Sequence, residues 1–461
     1  LNLRLSLAIL AGKFTAMVSR IHGHKGSSLP GMVARKIYPG ALRDLAAQVS
    51  RGVLVVSGTN GKTTTTNMLT GILSEAGYRV SSNLEGANLI TGVTTSLVRD
   101  AGIRGKLPCD YAVLEVDEAS MPRVLREVKA DVVIITNIFR DQLDRYWELD
   151  KTTGAIREGL GQQKQVTLIL NADDPLAAQF QRITGFPAVF YGLGAGARAT
   201  GDNAGSQARE GRFCPFCGDA LIYDYFHYSQ LGQYHCPGCD FDRPGPQVEA
   251  FEPQVEEGRV RCRLVFNGRE AELILQVRGL YNLYNAVAAF SAGLHLGLDV
   301  PGMLESLGRY RPITGRMEEF NYKGKPAYLN LVKNPAGFNE GLAALCAGKG
   351  SKDVFIAIND NDADGRDISW LWDVDFEMLG RDHRPYNCFI CCGLRGEEMA
   401  VRLKYAGVPI EKIIVDADVT RAIKSTLAGG AGSAYLFSTY TALWPIQRII
   451  KTLALEGGAA R

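Results

Sequence analysis

A β-favouring run, Val53 to Ser57, leads directly into Gly58-Thr59-Asn60-Gly61-Lys62-Thr63-Thr64, and a helical stretch follows with Met68, Leu69, Ile72 and Leu73 on one side. This order of strand, glycine loop and helix constrains the fold more than any other feature of the chain. Glycines let a backbone wrap closely round phosphate oxygens, with N–H groups pointing inward at a helix N-terminus. Lys62 supplies positive charge for β- and γ-phosphates, and the Thr63 hydroxyl is placed to bind Mg²⁺. A ligand-free turn is the plainer alternative. Because strand, loop, Lys-Thr pair and helix all agree, we read Gly58, Thr59, Asn60, Gly61, Lys62, Thr63 and Thr64 as a nucleotide site.

The runs VLVVS, YAVLEV, DVVIITN and VTLILN alternate with helical stretches, which predicts a mostly parallel sheet with helices on both faces. After Arg316 a second series follows: AYLNLV, DVFIAIN, NCFICCG, KIIVD and AYLFST. The expected organisation is an N-terminal helix and linker over 1–50, a central ATP-binding domain over 51–315 and a C-terminal α/β domain over 316–461. A module rich in Gly, Cys and Tyr is inserted at 198–250. At 461 residues the chain has room for two or three domains. Its 46% hydrophobic and 22% charged residues exclude disorder, and a net charge of +2 gives no support for broad nucleic-acid binding.

That charge is uneven: residues 1–50 carry seven Lys/Arg against Asp44 alone, so the remainder holds −4. Leu7, Leu10, Phe14, Met17, Val18 and Ile21 recur at three- and four-residue steps, which predicts an amphipathic helix. Its apolar face is expected either to pack on the next domain or to rest on an anionic membrane surface. No run approaches the roughly 18 apolar residues of a membrane span. With no convincing signal peptide, the expected compartment is the cytosol.

Cys214-Pro-Phe-Cys217 and Cys236-Pro-Gly-Cys239 are two knuckles with eighteen residues between them. Four thiolates at ~2.3 Å complete a closed tetrahedron round one zinc ion, with no open position for catalysis. A structural zinc ribbon is therefore preferred to a redox pair, and His227 and His235 are read as packing or exposed side chains. Cys388, Cys391 and Cys392 sit in an apolar run and read as core thiols.

The loop GTNGKTT is shorter between its glycines than the common G-x-x-x-x-G-K-[ST] pattern and resembles that of the ATP-dependent Mur ligase family. YAVLEVDEAS resembles the family's second motif, which implies that Glu115 binds Mg²⁺. TNIFRDQLDRY resembles its TN-x-x-DHLD-x-H region and supplies Asn137, Asp141 and Asp144. LILNADDP gives Asn171, Asp173 and Asp174 at another strand end. GLYNLYNAVAA matches a helix start that implies Asn282 and Asn285 facing the adenine, and ITGRME places Arg316 at a nucleotide-contacting position. The implied fold is a Mur-ligase-like central P-loop domain with a parallel sheet, an inserted four-cysteine zinc ribbon and a C-terminal Rossmann-like α/β domain.

Departures from the family pattern narrow the resemblance. Gln142 and Tyr146 stand where amino-acid-adding members have histidines, and Arg157 lies where they carry a carbamylated lysine holding a second Mg²⁺. Together with LVKNPAG and NDNDADGRDISWLWD, these substitutions resemble the MurT branch, whose members amidate the D-glutamate α-carboxylate of lipid II. What the branch implies is an ATP-dependent carbon–nitrogen ligase with Lys62 and Glu115 as catalytic groups. ATP, Mg²⁺ and structural Zn²⁺ are its implied cofactors.

None of the ten cysteines sits in the G-x-C-x-G-type elbow of a glutaminase, so glutamine hydrolysis falls to another chain. The resemblance implies a GatD-like glutamine amidotransferase partner in a heterodimer. It also implies an aspartate here, Asp367, that orients the partner's histidine. Without the resemblance, Asp360, Asp362, Asp364 and Asp367 read as turn residues and a helix cap. Asn83 and Asn88 follow the P-loop helix and are candidates for touching the acceptor. Two other readings stay open: a self-sufficient Mur-type or folylpolyglutamate-type amino-acid ligase, and a nucleotide-binding scaffold without turnover.

Overall fold

The computed structural model describes residues 2–21, 26–83, 87–140, 149–195, 210–256, 258–277, 279–311 and 316–458. They form two compact units, the first mainly over 1–310 and the second mainly over 311–461. Asp141, Gln142, Asp144 and Tyr146 lie outside the described residues.

The first unit opens with helices α1 (Leu3–Ile21), α2 (Leu29–Ile37) and α3 (Ala41–Ala46). Strand β1 (Gly52–Ser57) leads through the glycine loop into α4 (Lys62–Glu75), followed by β2 (Val80–Ser82), α5 (Ile90–Asp100), β3 (Tyr111–Glu115), α6 (Met121–Glu127) and β4 (Val132–Ile135). Next come α7 (Leu149–Leu160), β5 (Thr167–Asn171), α8 (Pro175–Thr184) and β6 (Ala188–Leu193). The hairpin β7 (Ile222–Tyr228) and β8 (Leu231–His235) belongs to the cysteine module. Strands β9 (Val248–Glu256), β10 (Arg259–Phe266) and β11 (Arg269–Leu275) precede α9 (Leu280–His295) and α10 (Val300–Arg309).

These strands build a nine-stranded sheet in the order β11-β10-β9-β6-β5-β4-β1-β3-β2. It is parallel from β9 to β2, and β10 and β11 extend it antiparallel. Every residue of β1 is buried, as its unbroken apolar run requires of a central strand covered on both faces. Val53 and Val55 join the core under α1, α3, α5 and α6, while α4 and α9 pack against each other and on the sheet.

Helix α1 forms where expected, but it packs by a different face. Leu5, Ala8, Ile9 and Gly12 are buried, whereas Leu7, Leu10, Phe14, Met17 and Ile21 are between 45% and 74% exposed. Close approach explains the choice. A Cβ at Gly12 would lie 2.8 Å from Val98 Cγ1 and 3.2 Å from the Pro30 carbonyl, so small residues let α1 sit against α2 and α5 where bulkier ones would not fit.

The second unit holds β12 (Arg316–Tyr322), β13 (Lys325–Leu331), α11 (Pro335–Ala347), β14 (Lys352–Ala357) and α12 (Glu377–Arg381). It continues with β15 (Tyr386–Cys392), α13 (Gly396–Tyr405), β16 (Ile413–Val415), α14 (Val419–Ala428), β17 (Ser433–Ser438) and α15 (Tyr440–Gly458). Its sheet runs β12-β13-β17-β14-β15-β16, parallel except for β12. Both sheets agree with the α/β architecture expected from the alternating runs.

Candidate functional site

The phosphate loop leaves β1 at the place where the sheet order reverses, with β3 on one side of β1 and β4 on the other. Crevices of this kind, beyond the carboxyl ends of parallel strands, are where doubly wound sheets bind ligands. Gly58 and Gly61 have φ of 119° and 85°, conformations that favour glycine. A side chain at Gly58 would run into the Thr136 hydroxyl, and one at Gly61 into the Asn285 carboxamide.

The strand ends hold the loop in register. Val56 pairs with Glu115 in β3 and Ile134 in β4, so the residues just beyond those strands flank the glycines. Thr59 N donates to the Asn137 carbonyl at 2.9 Å, Asn60 N to Asn137 Oδ1 at 2.9 Å, and Thr136 Oγ1 to the Asn60 carbonyl at 2.7 Å. Thr59 Oγ1 also bridges to the backbone of Phe139. Asn282 and Asn285, in the first turns of α9, are buried beside this loop, and Thr65 Oγ1 reaches Asn285 Oδ1 at 3.4 Å. Thr63 and Thr64 stand in the first turn of α4, Thr63 partly exposed and Thr64 buried.

Lys62 is buried, and its Nζ donates to the Gly58 carbonyl at 2.6 Å and to both carboxylate oxygens of Glu118 at 3.2 and 3.3 Å. Glu118 escaped the sequence reading, since nothing in DEAS sets it apart from a helix-start acid. Glu115 is buried at the end of β3; Asn88 Nδ2 donates to its Oε1 at 3.1 Å, while Oε2 has no partner among the described residues. A buried, unsatisfied carboxylate oxygen beside a phosphate loop suits a hard cation such as Mg²⁺. The Asn83 amide donates to the Glu115 and Ala87 carbonyls and accepts from Glu115 N. The structure thus brings Asn83 and Asn88 to Glu115, where they fix the carboxylate's position.

In the cysteine module, Sγ of Cys214, Cys217, Cys236 and Cys239 all lie within 4.8 Å of one another. Cys214 and Cys239 are 3.6 Å apart and Cys217 and Cys236 are 3.3 Å apart, a cluster able to hold one metal ion. Gly218 takes φ 84° at the first knuckle, and a side chain at Gly238 would strike the Asp219 carboxylate. A small core of Leu221, Tyr234 and Phe241 backs the thiols. His227 is buried and packs between Tyr225 and Tyr284, with Nε2 3.1 Å from the Leu193 carbonyl, and it stands outside the cluster.

Two buried aspartates tie the module to the sheet. Asp173 accepts from Arg243 Nε at 2.6 Å, Tyr284 OH at 2.6 Å and Leu193 N at 2.8 Å. Asp174 caps α8 through Leu176 N and accepts from Ile138 N and Gln230 Nε2. Burial outweighs these bonds and pushes the Asp174 carboxyl up from 3.8 to about 7.

In the second unit the residues after β14 divide by role. Asp360 accepts from Arg395 at 2.7 and 3.0 Å, and Asp362 pairs with Arg366. Asp364 is buried and accepts from Thr441 N at 2.7 Å and Thr441 Oγ1 at 2.5 Å. Asp367 is half-buried, and its oxygens accept from Ser369 N at 2.8 Å and Ser369 Oγ at 2.9 Å at the start of a short 3₁₀ turn. Arg316 begins β12; its side chain lies outside what is described. Cys391 and Cys392 are buried in β15, and burial pushes the Cys388 and Cys391 thiols up to about 12. They form no metal-binding group among the described residues.

Residues 56–236 match the Mur ligase middle domain and residues 331–443 match the MurT ligase C-terminal domain. The chain is 38% identical over 451 residues to the MurT subunit of lipid II isoglutaminyl synthase (glutamine-hydrolyzing) from Staphylococcus aureus strain N315, covering 98% of each chain. The corresponding Streptococcus pneumoniae subunit is 35% identical with the same coverage. The fold resembles a pseudomurein peptide ligase type C from Methanothermus fervidus, with TM-score 0.66 and 24% identity over 89% of this chain and 80% of that one. MurF ligase from Thermotoga maritima in complex with ADP gives TM-score 0.66 and 15% identity over 93% and 85% of the two chains. By its similarity to these subunits along nearly its whole length, the chain belongs to the MurT family.

Proposed function

We propose that the chain is the ATP-using synthetase subunit of a lipid II isoglutaminyl synthase, converting the D-glutamate α-carboxylate of the lipid II stem peptide to the amide of D-isoglutamine. The observation that carries this reading is the 38% identity to MurT over 98% of both chains.

A carboxylate resists ammonia because its oxygen is a poor leaving group. Transfer of the γ-phosphoryl group from ATP to that oxygen gives an acyl phosphate and ADP. Ammonia nitrogen then attacks the carbonyl carbon, phosphate departs with the C–O bond, and a proton is lost to leave the amide. Catalysis of the first step is mostly positioning and charge neutralisation. In this reading Gly58, Thr59, Asn60, Gly61, Thr63 and Thr64 cradle the phosphates, and Lys62 leaves Glu118 to meet the β- and γ-oxygens. Thr63 and Glu115 hold Mg²⁺, which neutralises charge on the transferring group when bound. Asn282, Asn285 and Arg316 hold the nucleotide, and Asn83 and Asn88 keep Glu115 aimed. Cys214, Cys217, Cys236 and Cys239 hold a structural zinc ion.

Ammonia comes from a GatD-like glutaminase partner. Asp367 orients that partner's histidine, fixing its tautomer and stabilising the imidazolium. The acceptor is membrane-borne, so the complex works at the cytoplasmic face of the membrane. No helix among the described residues is long and apolar enough to cross it.

The test combines the chain with Mg²⁺, ATP and lipid II and follows orthophosphate and amide. Ammonium supports amidation by the chain alone, glutamine supports it only after the partner is added, and free amino acids are not incorporated. An assembled complex that releases no orthophosphate with lipid II and ammonium overturns the reading.

A further inference from the structure

Among the described residues, the outer face of α1 carries a run of large apolar side chains left uncovered. Leu3, Leu7, Leu10, Phe14, Met17 and Ile21 follow one another at three- and four-residue steps, on the side opposite the buried Leu5, Ala8, Ile9 and Gly12. Leu29 and Met32 of α2 are also exposed. The helix thus has two apolar faces, one packed and one bare. Soluble proteins seldom leave a contiguous patch of large apolar side chains in water without an occupant.

Charge indicates what that occupant is. Helix α1 carries Arg4, Lys13 and Arg20 and no acidic residue. Inward of Met17 and Ile21, between α1 and α5, lies a cavity of about 380 Å³. Lys13, Arg20 and Arg99 line it, and among the described residues no acidic side chain does. Arg99 is engaged by Asp100 and the Ser82 carbonyl, so the excess positive charge there comes from Lys13 and Arg20. A protein partner of ordinary composition would answer an apolar stripe with an apolar groove. A stripe bordered by cations, with a basic cavity at its edge, fits a surface that is apolar inside and anionic outside.

We propose that the outer face of α1, together with Leu29 and Met32, docks on an anionic lipid surface, and that the adjoining cavity receives the phosphate of a lipid headgroup. This rests on the reading that the substrate is lipid-borne, and gives that reading a physical point of attachment. The stripe enters the interface region of the bilayer, Arg20 and Lys13 stay at headgroup level, and the packed face keeps the helix on its domain.

The experiment is co-sedimentation of the full chain with phosphatidylglycerol–phosphatidylcholine vesicles, with pure phosphatidylcholine vesicles as control. The chain is expected to sediment with the anionic vesicles and to be released by salt. Phe14→Asp, on an exposed position, lowers retention by about tenfold or more at unchanged melting temperature, and Arg20→Glu weakens it chiefly at low salt. Absence of sedimentation at low salt, or equal retention of Phe14→Asp, overturns the proposal. So does a halving of the solution mass in Phe14→Asp, which would assign the stripe to a second copy of the chain. Amidation of a short-chain, water-soluble lipid II analogue separates the two ideas: Phe14→Asp leaves it unchanged, whereas no activity in the wild type counts against the amidation reading and not against vesicle binding.

Discussion

The glycine loop after β1 and the aspartate-rich loop after β14 occupy the same topological place in their respective units. Strands β2 and β3 lie on one side of β1 with β4 on the other, and β15 and β16 lie on one side of β14 with β17 on the other. The loops differ in how their functional side chains are held. The first is held from outside, by Thr136, Asn137, Phe139 and Asn285 on neighbouring elements. In the second, Asp362 and Asp367 bond close neighbours in sequence, whereas Asp360 pairs with Arg395 and Asp364 is buried against Thr441. Topology supplies a crevice in both cases. Side chains decide whether it is a rigid cradle or an edge that presents a carboxylate.

The sharpest way to break this comparison is Lys62→Ala. On the proposed function, removing this charge lowers ATP-dependent orthophosphate release by roughly a thousandfold, with ammonium as well as glutamine. Retained turnover would deny the cradle its chemistry. Asp367→Asn is expected to act on one nitrogen source only: in the assembled complex, glutamine-driven amidation falls about a hundredfold and ammonium-driven amidation is kept. Equal loss of both would move Asp367 to the nucleotide side. Asp364→Ala tests the other half of the loop and is expected to show as stability. It leaves the Thr441 amide and hydroxyl without their acceptor and costs about 1–3 kcal/mol, read as a shifted denaturant midpoint.

The smallest effect concerns pH. The folded Asp174 carboxyl titrates at about 7 through burial, against 3.8 when free, so its favourable contribution is complete in acid. That contribution is lost as pH rises through this window, because the unfolded chain ionises first. Asp174→Asn should therefore gain in melting temperature relative to the wild type as pH climbs from about 4 to 7. A constant difference between the two would mean that Asp174 is already ionised in the fold.

Sequence legibility follows physical lines. β1, β3, β4, β5 and most strands of the second unit are continuous apolar runs because parallel strands are covered on both faces. β9 was not legible: Glu249, Glu252 and Pro253 interrupt it, and only its pairing with β6 and β10 makes it a strand. The cysteine spacing announced the thiol cluster, since its four ligands come from two local turns. Glu118 was illegible because its contact with Lys62 spans 56 residues of chain. Helix α1 had a readable period with the wrong face packed, because Gly12 and Ala8 contribute closeness that hydropathy does not register. Asp364 and Asp367 look alike in sequence; only the fold brings Thr441 to one of them.

The pairing of β6 with β9 bears on how the cysteine module entered the architecture. The chain departs the sheet after Leu193 and comes back at Val248, which sits opposite Tyr191, so both stems lie on adjacent parallel strands within two residues of register. A graft whose two ends sit on adjacent strands can be lengthened, exchanged or pruned while the strands beside it still close. The module is then an appendage fastened to the sheet by Arg243, Gln230 and His227, contacts that a change in its length need not disturb.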